Sequence, residues 1–360
     1  MSAPIRYAVV GTGWISQIAF LPAIPQVANS TVTALVTGNA DGAAKLAEFY
    51  GIEHVVAYDD YDAMLADDIC DAVYIALPNS MHADYAIRAM KAGKHAMVEK
   101  PLAVSIAESE AMIAAAEENG VFLMTAYRLH SEPGTVKVLD LIRAGEIGEP
   151  RLFSSTFSFQ SDPGNHRLLA EHWGGPLQDI GIYCLNAARH CLAAEPIRAT
   201  AVKVHGNGDP RFREVEGSMS VTLEFPDEKL AQFLISFESG DTDWYRVIGT
   251  EGEITVDHGY DLRFTPNIRL KRSGEAAREI EVPDSDHFGG QAAYFSDCIL
   301  TGTRPVPDGG EGLADMAALL AIEAAAKTGL PQPIGTAARD NHPHAGTVRI
   351  VPRTDRRLML

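Results

Sequence analysis

An apolar run, IRYAVV at 5–10, leads without a break into GTGWIS at 11–16 and then into a helical stretch that reaches Pro22. Strand, GxGxx(small), helix is the order in which a dinucleotide-binding βαβ unit opens. Gly11 suits the tight turn, and Gly13 lets a pyrophosphate approach the backbone. The helix start, with Thr12, Trp14 and Ile15, turns N–H groups towards it. Ser16 stands where a third glycine or alanine is usual, which is a small change. A glycine turn in an ordinary α/β unit is the competing reading, and the following segments weigh against it.

The second strand, TVTALVTG at 31–38, ends where an acidic side chain would hold the ribose hydroxyls of NAD. Thr37, Gly38 and Asn39 stand there instead. Hydroxyl, amide and backbone N–H groups suit a 2′-phosphate, so NADP is favoured, with NAD left open because Asp41 and Lys45 pull in opposite directions. A third strand, DAVYIALP at 71–78, is continuously apolar, as a parallel strand covered on both faces should be. Leu77, Pro78 and Asn79 follow at its carboxyl end as cofactor contacts. His82 is first a capping or packing residue and second a cofactor ligand. KHAMVEKPL at 94–102 ends in Glu99-Lys100-Pro101, and ligands of open parallel sheets bind at such ends. Lys100 and Glu99 are therefore placed towards the cofactor. A last strand at 121–127 runs into Arg128, also a cofactor candidate, and closes a domain over 1–127.

The second half turns on GGPLQDIGIYC at 174–184. Pro176 suits a first helical turn, and Asp179 and Tyr183, four residues apart, project from one helical face with Asn186 near the same stripe. Gly181 lets something approach the backbone closely. The preceding loop, 161–173, carries His166 and Arg167, read as sugar-hydroxyl ligands or, for Arg167, equally as a structural clamp. Alternating strands at about 151–160, 198–206, 217–225, 229–238, 244–249, 252–257, 268–272 and 278–282 build a sheet with one wet face. Helices at 287–301 and 309–328 close a domain over 128–330. The remainder, 331–360, is rich in Pro and Arg and either wraps a partner subunit or is loose.

Composition narrows the partners. A formal net charge of -18 over 360 residues argues against nucleic acid and anionic membranes, whose phosphates need Lys and Arg. No apolar run approaches the roughly 18 residues of a membrane span. Cys70, Cys184, Cys191 and Cys298 lack CxxC spacing and read as buried thiols in a reducing cytoplasm. The histidines form no metal motif; His342-Pro343-His344 comes nearest, and no metal is expected.

GTGWIS, VEKP, YRLH and GGPLQDIGIY, in this order and joined by TGNA at 37–40 and VYIALPNSMHADYAIRAMKAGKH at 73–95, resemble the Gfo/Idh/MocA family of oxidoreductases. Within it they are similar to the aldose-oxidising branch typified by glucose–fructose oxidoreductase. The resemblance runs from about residue 5 to about 330. It implies an α/β protein: a Rossmann domain followed by an α/β domain with a large, open, mostly antiparallel sheet used to form a homodimer or homotetramer. It implies that Lys100, Asp179 and Tyr183 form the catalytic and substrate-binding group, and that the bond before Pro101 is cis. The reaction implied is oxidation of an aldose pyranose at C1 to its lactone, with reduction of a second sugar to an alditol. A free phenol ionises near about 10, so a Tyr183 base at neutral pH needs a neighbouring cation, which Lys100 would supply. An aldose or diol dehydrogenase that releases its reduced cofactor is the alternative, and a dinucleotide-sensing regulator without catalysis is the third reading. Two departures stand out. The exported relative has an N-terminal arm that helps to retain NADP, whereas this sequence opens on its first strand, so a cytoplasmic protein is expected. A lysine of the relative's 2′-phosphate grip is Gly42 here, leaving Lys45 as its substitute.

Overall fold

A computed structural model describes residues 3–360. The chain divides into two compact units, one built from residues up to Glu132 with Asp284–Gly312 and Thr347–Leu360, the other from Pro133–Pro283 and Leu313–Gly346. Chain order alone places the helix at 287–301 and the last residues elsewhere; both belong to the first unit.

The first unit contains a parallel sheet of β1 (Ile5–Val10), β2 (Ser30–Val36), β3 (His54–Val56), β4 (Ala72–Ile75), β5 (His95–Val98) and β6 (Leu123–Thr125), in the order β3-β2-β1-β4-β5-β6. The reversal of direction at β1 and β4 is the switch point at which such sheets take ligands. Strand β3 escapes sequence reading because its three residues are half-exposed or exposed, leaving no apolar run. A π-helical turn, Ser16–Phe20, runs into the short helix α1 (Leu21–Ala23). Further helices are α2 (Ala40–Tyr50), α3 (Tyr61–Ala66), α4 (His82–Lys91) and α5 (Ile106–Glu118). Val10, Val36, Val73, Ile75 and Val98 present one apolar face to Ala86, Met90, Met112 and Ala116 of α4 and α5. Fully burying each aliphatic side chain of this kind contributes about 1.5–3 kcal/mol. On the opposite face Phe20 stacks on Tyr74 with ring centroids 3.8 Å apart, and Tyr7 Oη lies 2.9 Å from Ser296 Oγ.

The second unit opens with α6 (Pro133–Arg143). Its nine-stranded sheet comprises β7 (Pro150–Ser158), β8 (Arg198–Val204), β9 (Ser218–Glu224), β10 (Leu230–Ser236), β11 (Thr242–Gly249), β12 (Gly252–Asp257), β13 (Asn267–Arg272), β14 (Arg278–Ile280) and β15 (Gln332–Pro333). All neighbours are antiparallel except β7 and β10. Strand β10 shows the pattern most plainly: Ala231, Phe233 and Ile235 are buried while Leu230, Gln232 and Leu234 are exposed. The buried face is covered by α7 (Ile182–Leu192), whose Cys184 Sγ accepts from Ser155 Oγ of β7 at 3.3 Å. Helix α9 (Gly309–Thr328) lies mostly in this unit, whereas α8 (His287–Thr301) belongs to the first, where it packs on β1 and β2.

One buried ionic group fixes α7. Arg189, 1% exposed, donates to both carboxylate oxygens of Glu195 at 2.6 and 2.8 Å and to Asp315 at 2.6 Å, and Asn186 Nδ2 donates to Asp315 at 2.9 Å. Asn186 therefore serves the network and not the site stripe expected of it. Removing the cation strands two buried carboxylates, a loss of about 3–5 kcal/mol. Arg189→Ala should lower the free energy of unfolding by that amount in urea titration; a loss below about 1 kcal/mol would mean that water already screens the group.

Candidate active site

The nucleotide half begins with backbone geometry. Gly11 has φ +94°, and a Cβ there would stand 2.5 Å from Ala76 O, so only glycine brings the end of β1 this close to the end of β4. A Cβ on Gly13 would meet nothing within 4 Å, which leaves open space beside the loop backbone for a pyrophosphate. These are the two glycine roles that the fingerprint demands, and the residues fit the group. Ser16, buried, donates its hydroxyl to Gly11 O at 2.6 Å, so the substitution for the usual glycine closes the turn from within. Thr12 Oγ1 donates to Thr37 Oγ1 at 2.8 Å, and Asn39 N–H donates to the same oxygen at 3.2 Å. The Asn39 side chain accepts from Gly42 N–H at 3.0 Å and caps α2. Trp14, half-exposed, and Lys45, exposed, lie on the rim of this half.

The Lys100–Pro101 peptide is cis. Its neighbours are held tightly. His82 is fully buried, with Nδ1 2.9 Å from Pro101 O and Nε2 2.9 Å from Leu77 O. Burial pushes the ring's pKa down, and the packing role weighed for His82 is the one observed: its ring nitrogens serve the loop backbone. Glu99 is also turned inward, its carboxylate accepting from Tyr74 Oη at 2.7 Å, and burial raises its pKa. Arg128 is buried and directs a guanidinium nitrogen to His287 Nδ1 at 2.8 Å, which must then be an unprotonated acceptor. All three were expected beside a cofactor; the structure gives each a partner within the protein framework.

In the second unit, the helix carrying Asp179 begins as a π turn, Leu177–Gly181, before α7. The regular four-residue spacing expected for Asp179 and Tyr183 is thus widened at its start, a local geometry common at functional sites. The neighbour admitted by Gly181 is a sheet side chain: a Cβ there would stand 2.8 Å from Ile235 Cδ1. Arg167 Nε pairs with Asp179 Oδ2 at 3.1 Å, both groups half-buried or nearly buried. The loop delivers Arg167 by folding back on itself. Gly175 N–H donates to Arg167 O at 2.8 Å, and a Cβ on Gly174 would stand 2.3 Å from that oxygen, so the glycine pair is required by this closure. His166 beside it is exposed at its surface, and the packing around its ring together with the Arg167 charge pushes its pKa down. The Tyr183 ring packs edge-on against Phe157 at 5.8 Å and tilted against Tyr260 at 6.0 Å.

Trp173, Gln178 and Glu323 were not anticipated. Trp173 has φ 51°, and its Nε1 donates to Glu323 Oε1 at 2.9 Å while Gln178 Nε2 donates to the same oxygen at 2.5 Å. This ties the 161–175 loop to α9, a helix distant in sequence. The only signal was a tryptophan directly before two glycines.

Comparison with known proteins agrees with this geometry. The family model for the oxidoreductase family with an NAD-binding Rossmann fold matches residues 5–127, and the C-terminal domain model of the same family matches 135–255. The chain belongs to the Gfo/Idh/MocA family of oxidoreductases. A D-xylose 1-dehydrogenase [NADP(+)] from Haloarcula marismortui is 32% identical over 90% of this chain and 92% of its own length. The crystal structure of aldose-aldose oxidoreductase from Caulobacter crescentus, complexed with glycerol, is 34% identical with a TM-score of 0.87, covering 92% of this chain and 99% of that one. A 3-ketoreductase from Actinomadura kijaniata, in complex with NADP and TDP-benzene, is 30% identical with a TM-score of 0.81, covering 89% and 98%. Among the described residues, no helix is long and apolar enough to cross a membrane.

The open space at Gly13 makes it the discriminating position of this Gfo/Idh/MocA chain. Gly13→Val should leave the melting temperature within a few degrees yet weaken nicotinamide dinucleotide binding at least tenfold by calorimetry. Unchanged affinity would remove the pyrophosphate from this loop.

Proposed function

We propose that this protein is an NADP-dependent sugar oxidoreductase that oxidises an aldose pyranose at C1 to its lactone and reduces a second sugar to an alditol. The observation that carries the reading is the Arg167–Asp179 pair next to Tyr183 on one helix start. Held against a guanidinium, Asp179 is an acceptor-only carboxylate suited to sugar hydroxyls, which leaves the Tyr183 phenol as the group that moves a proton. NADP is the cofactor because the end of β2 offers Thr37 and the Asn39 amide and no carboxylate, and because the relatives above act with NADP.

When bound, the nicotinamide supplies the hydride acceptor at its C4. The residues handle the remaining atoms. The Tyr183 oxygen takes the proton from the C1 hydroxyl oxygen as the C1–H bond yields its hydride, and Lys100 is assigned to binding the substrate and the cofactor. Asp179 and Arg167 orient the ring hydroxyls, and His166 donates or accepts one more hydrogen bond. In the reductive half the Tyr183 phenol returns its proton to the carbonyl oxygen of the second sugar. The residues assigned to the dinucleotide are Gly11, Thr12, Gly13, Trp14, Ile15, Thr37, Gly38, Asn39, Lys45, Leu77, Pro78, Asn79 and Lys100. A second reading, an aldose dehydrogenase that releases NADPH each turnover, is favoured by the similarity to D-xylose 1-dehydrogenase.

The two readings separate in one experiment. The denatured protein is assayed by mass spectrometry for a co-purified nicotinamide nucleotide, and the native protein is given a panel of pyranoses with and without added NADP+. Retained nucleotide with alditol formation supports the two-sugar cycle; stoichiometric free NADPH with lactone alone supports the dehydrogenase. Tyr183→Phe should lower kcat by about 10²–10⁴ with dinucleotide affinity within twofold. Turnover preserved in that variant would end the base assignment.

We also propose a homodimer or homotetramer assembled through the outer face of the nine-stranded sheet. Val202, Val204, Leu230, Leu234 and Leu152 are exposed there, and the register aligns Leu230 with Leu152 and Leu234 with Ser220, itself opposite Val202. An apolar row on a strand face is the signature of a covered surface. Light scattering should give at least a dimer, and Leu234→Glu should shift it towards monomer; a wild type that is monomeric at micromolar concentration overturns the assignment.

A further inference from the structure

Residues 347–360, which lie beyond the matched family domains, are ordered against the nucleotide-binding unit along their whole length. Val351 fills the space left by Gly289, where a Cβ would stand 2.6 Å from Val351 Cγ1, and Asp286 N–H donates to Val351 O at 2.8 Å. Arg349 pairs with Asp297 at 2.6 Å and Arg353 with Asp284 at 2.7 Å. Arg356 then reaches the carboxyl end of α2, donating to Phe49 O at 3.2 Å with its guanidinium 5.1 Å from the Phe49 ring. A cation at that end also complements the helix dipole.

The segment finishes on the glycine loop. Leu360 N–H donates to Gln17 Oε1 at 2.8 Å, and Gln17 Nε2 donates to Thr12 O at 2.7 Å. Gln17 is 8% exposed and its amide has one orientation that satisfies both partners. The chain of bonds continues, since Thr12 also donates to Thr37 and Thr37 accepts from Asn39 N–H. A segment far along the sequence is thereby wired through one glutamine to the turn between Gly11 and Gly13 and onward to the end of β2.

We infer that residues 353–360 act as a strap that positions the dinucleotide loop, with Gln17 as the positioning residue that transmits it. The inference rests on the dinucleotide role of that loop. Its physical content is preorganisation: a loop already held in its binding geometry loses less freedom when the nucleotide arrives. The strap therefore acts on cofactor affinity and not on the proton chemistry, and it supplies from the carboxyl side a means of retaining the nucleotide.

Three variants test this by NADPH fluorescence titration of the full protein, with circular dichroism and thermal melting as folding controls. Leu360→Pro removes the single N–H donor at an exposed end. Gln17→Ala removes both bonds, and a chain ending at Pro352 removes the strap. The dissociation constant for NADPH should rise about two- to tenfold for Leu360→Pro, the effect of one hydrogen bond, and further for the other two. The kcat at saturating cofactor should stay within twofold, and Arg357→Ala, outside the bonded chain, should leave affinity unchanged. If the shortened chain fails to fold, the two point variants decide. Folded Leu360→Pro and Gln17→Ala proteins with wild-type affinity overturn the strap while leaving the nucleotide reading intact. A wild type that binds neither NADPH nor NADH overturns both.

Discussion

The contact on which the nucleotide half depends is between two pieces of backbone. Gly11 stands so close to the Ala76 carbonyl that a single methylene is excluded, and this brings the carboxyl ends of β1 and β4 together at the point where the sheet reverses its winding. The turn that follows inherits its direction from that approach. Ser16 bonds back to Gly11 O, Thr12 reaches across to Thr37, and Gln17 N–H donates to Gly13 O as the π turn begins. Across the switch point the same economy holds for the Lys100 loop. A buried imidazole lies 2.9 Å from both Leu77 O and Pro101 O, its one N–H donating to one of them, so the ring packs between the end of β4 and the residue after Lys100. His82 thus bears on Lys100 through backbone, which explains a fully buried histidine at this place.

The second unit uses glycine in the same way for a different end. Gly174 and Gly175 let the loop close on Arg167 O, and Gly181 lets the helix start settle against Ile235. The first closure brings the Arg167 guanidinium onto Asp179, an ion pair at 3.1 Å that the helix by itself would not provide. The π turn loosens the helix just where it carries Asp179, ahead of Tyr183 in α7.

Legibility in the sequence tracked the range of the interactions. The strand–glycine–helix unit and the alternating strands of the second sheet were readable because periodicity and turn chemistry are local. What failed was non-local. β3 lacks an apolar run of its own and exists only because β2 offers it an edge. Glu99 and Arg128 each carry a partner distant in sequence, Tyr74 and His287, which their place in the chain does not encode. The loop anchor at Glu323 and the return of 347–360 to the first unit depend on residues brought together from opposite ends of the chain, and no spacing rule encodes them.

Gly42 shows how a departure from the family pattern can carry its own physical reason. A Cβ at this position would stand 2.6 Å from Asn39 Nδ2, because the Asn39 amide folds over the first turn of α2 to accept from Gly42 N–H. A side chain at position 42 would therefore displace the Asn39 amide from the place it holds in this cap. The chain has taken the cap, which satisfies an orphan N–H, while the Asn39 backbone N–H donates to the Thr37 hydroxyl at the end of β2. On the proposed reading, the 2′-phosphate meets the Thr37 hydroxyl, the N–H groups at the start of α2 and the Lys45 ammonium, so the cap and the cation share the work that a lysine at position 42 would have done alone.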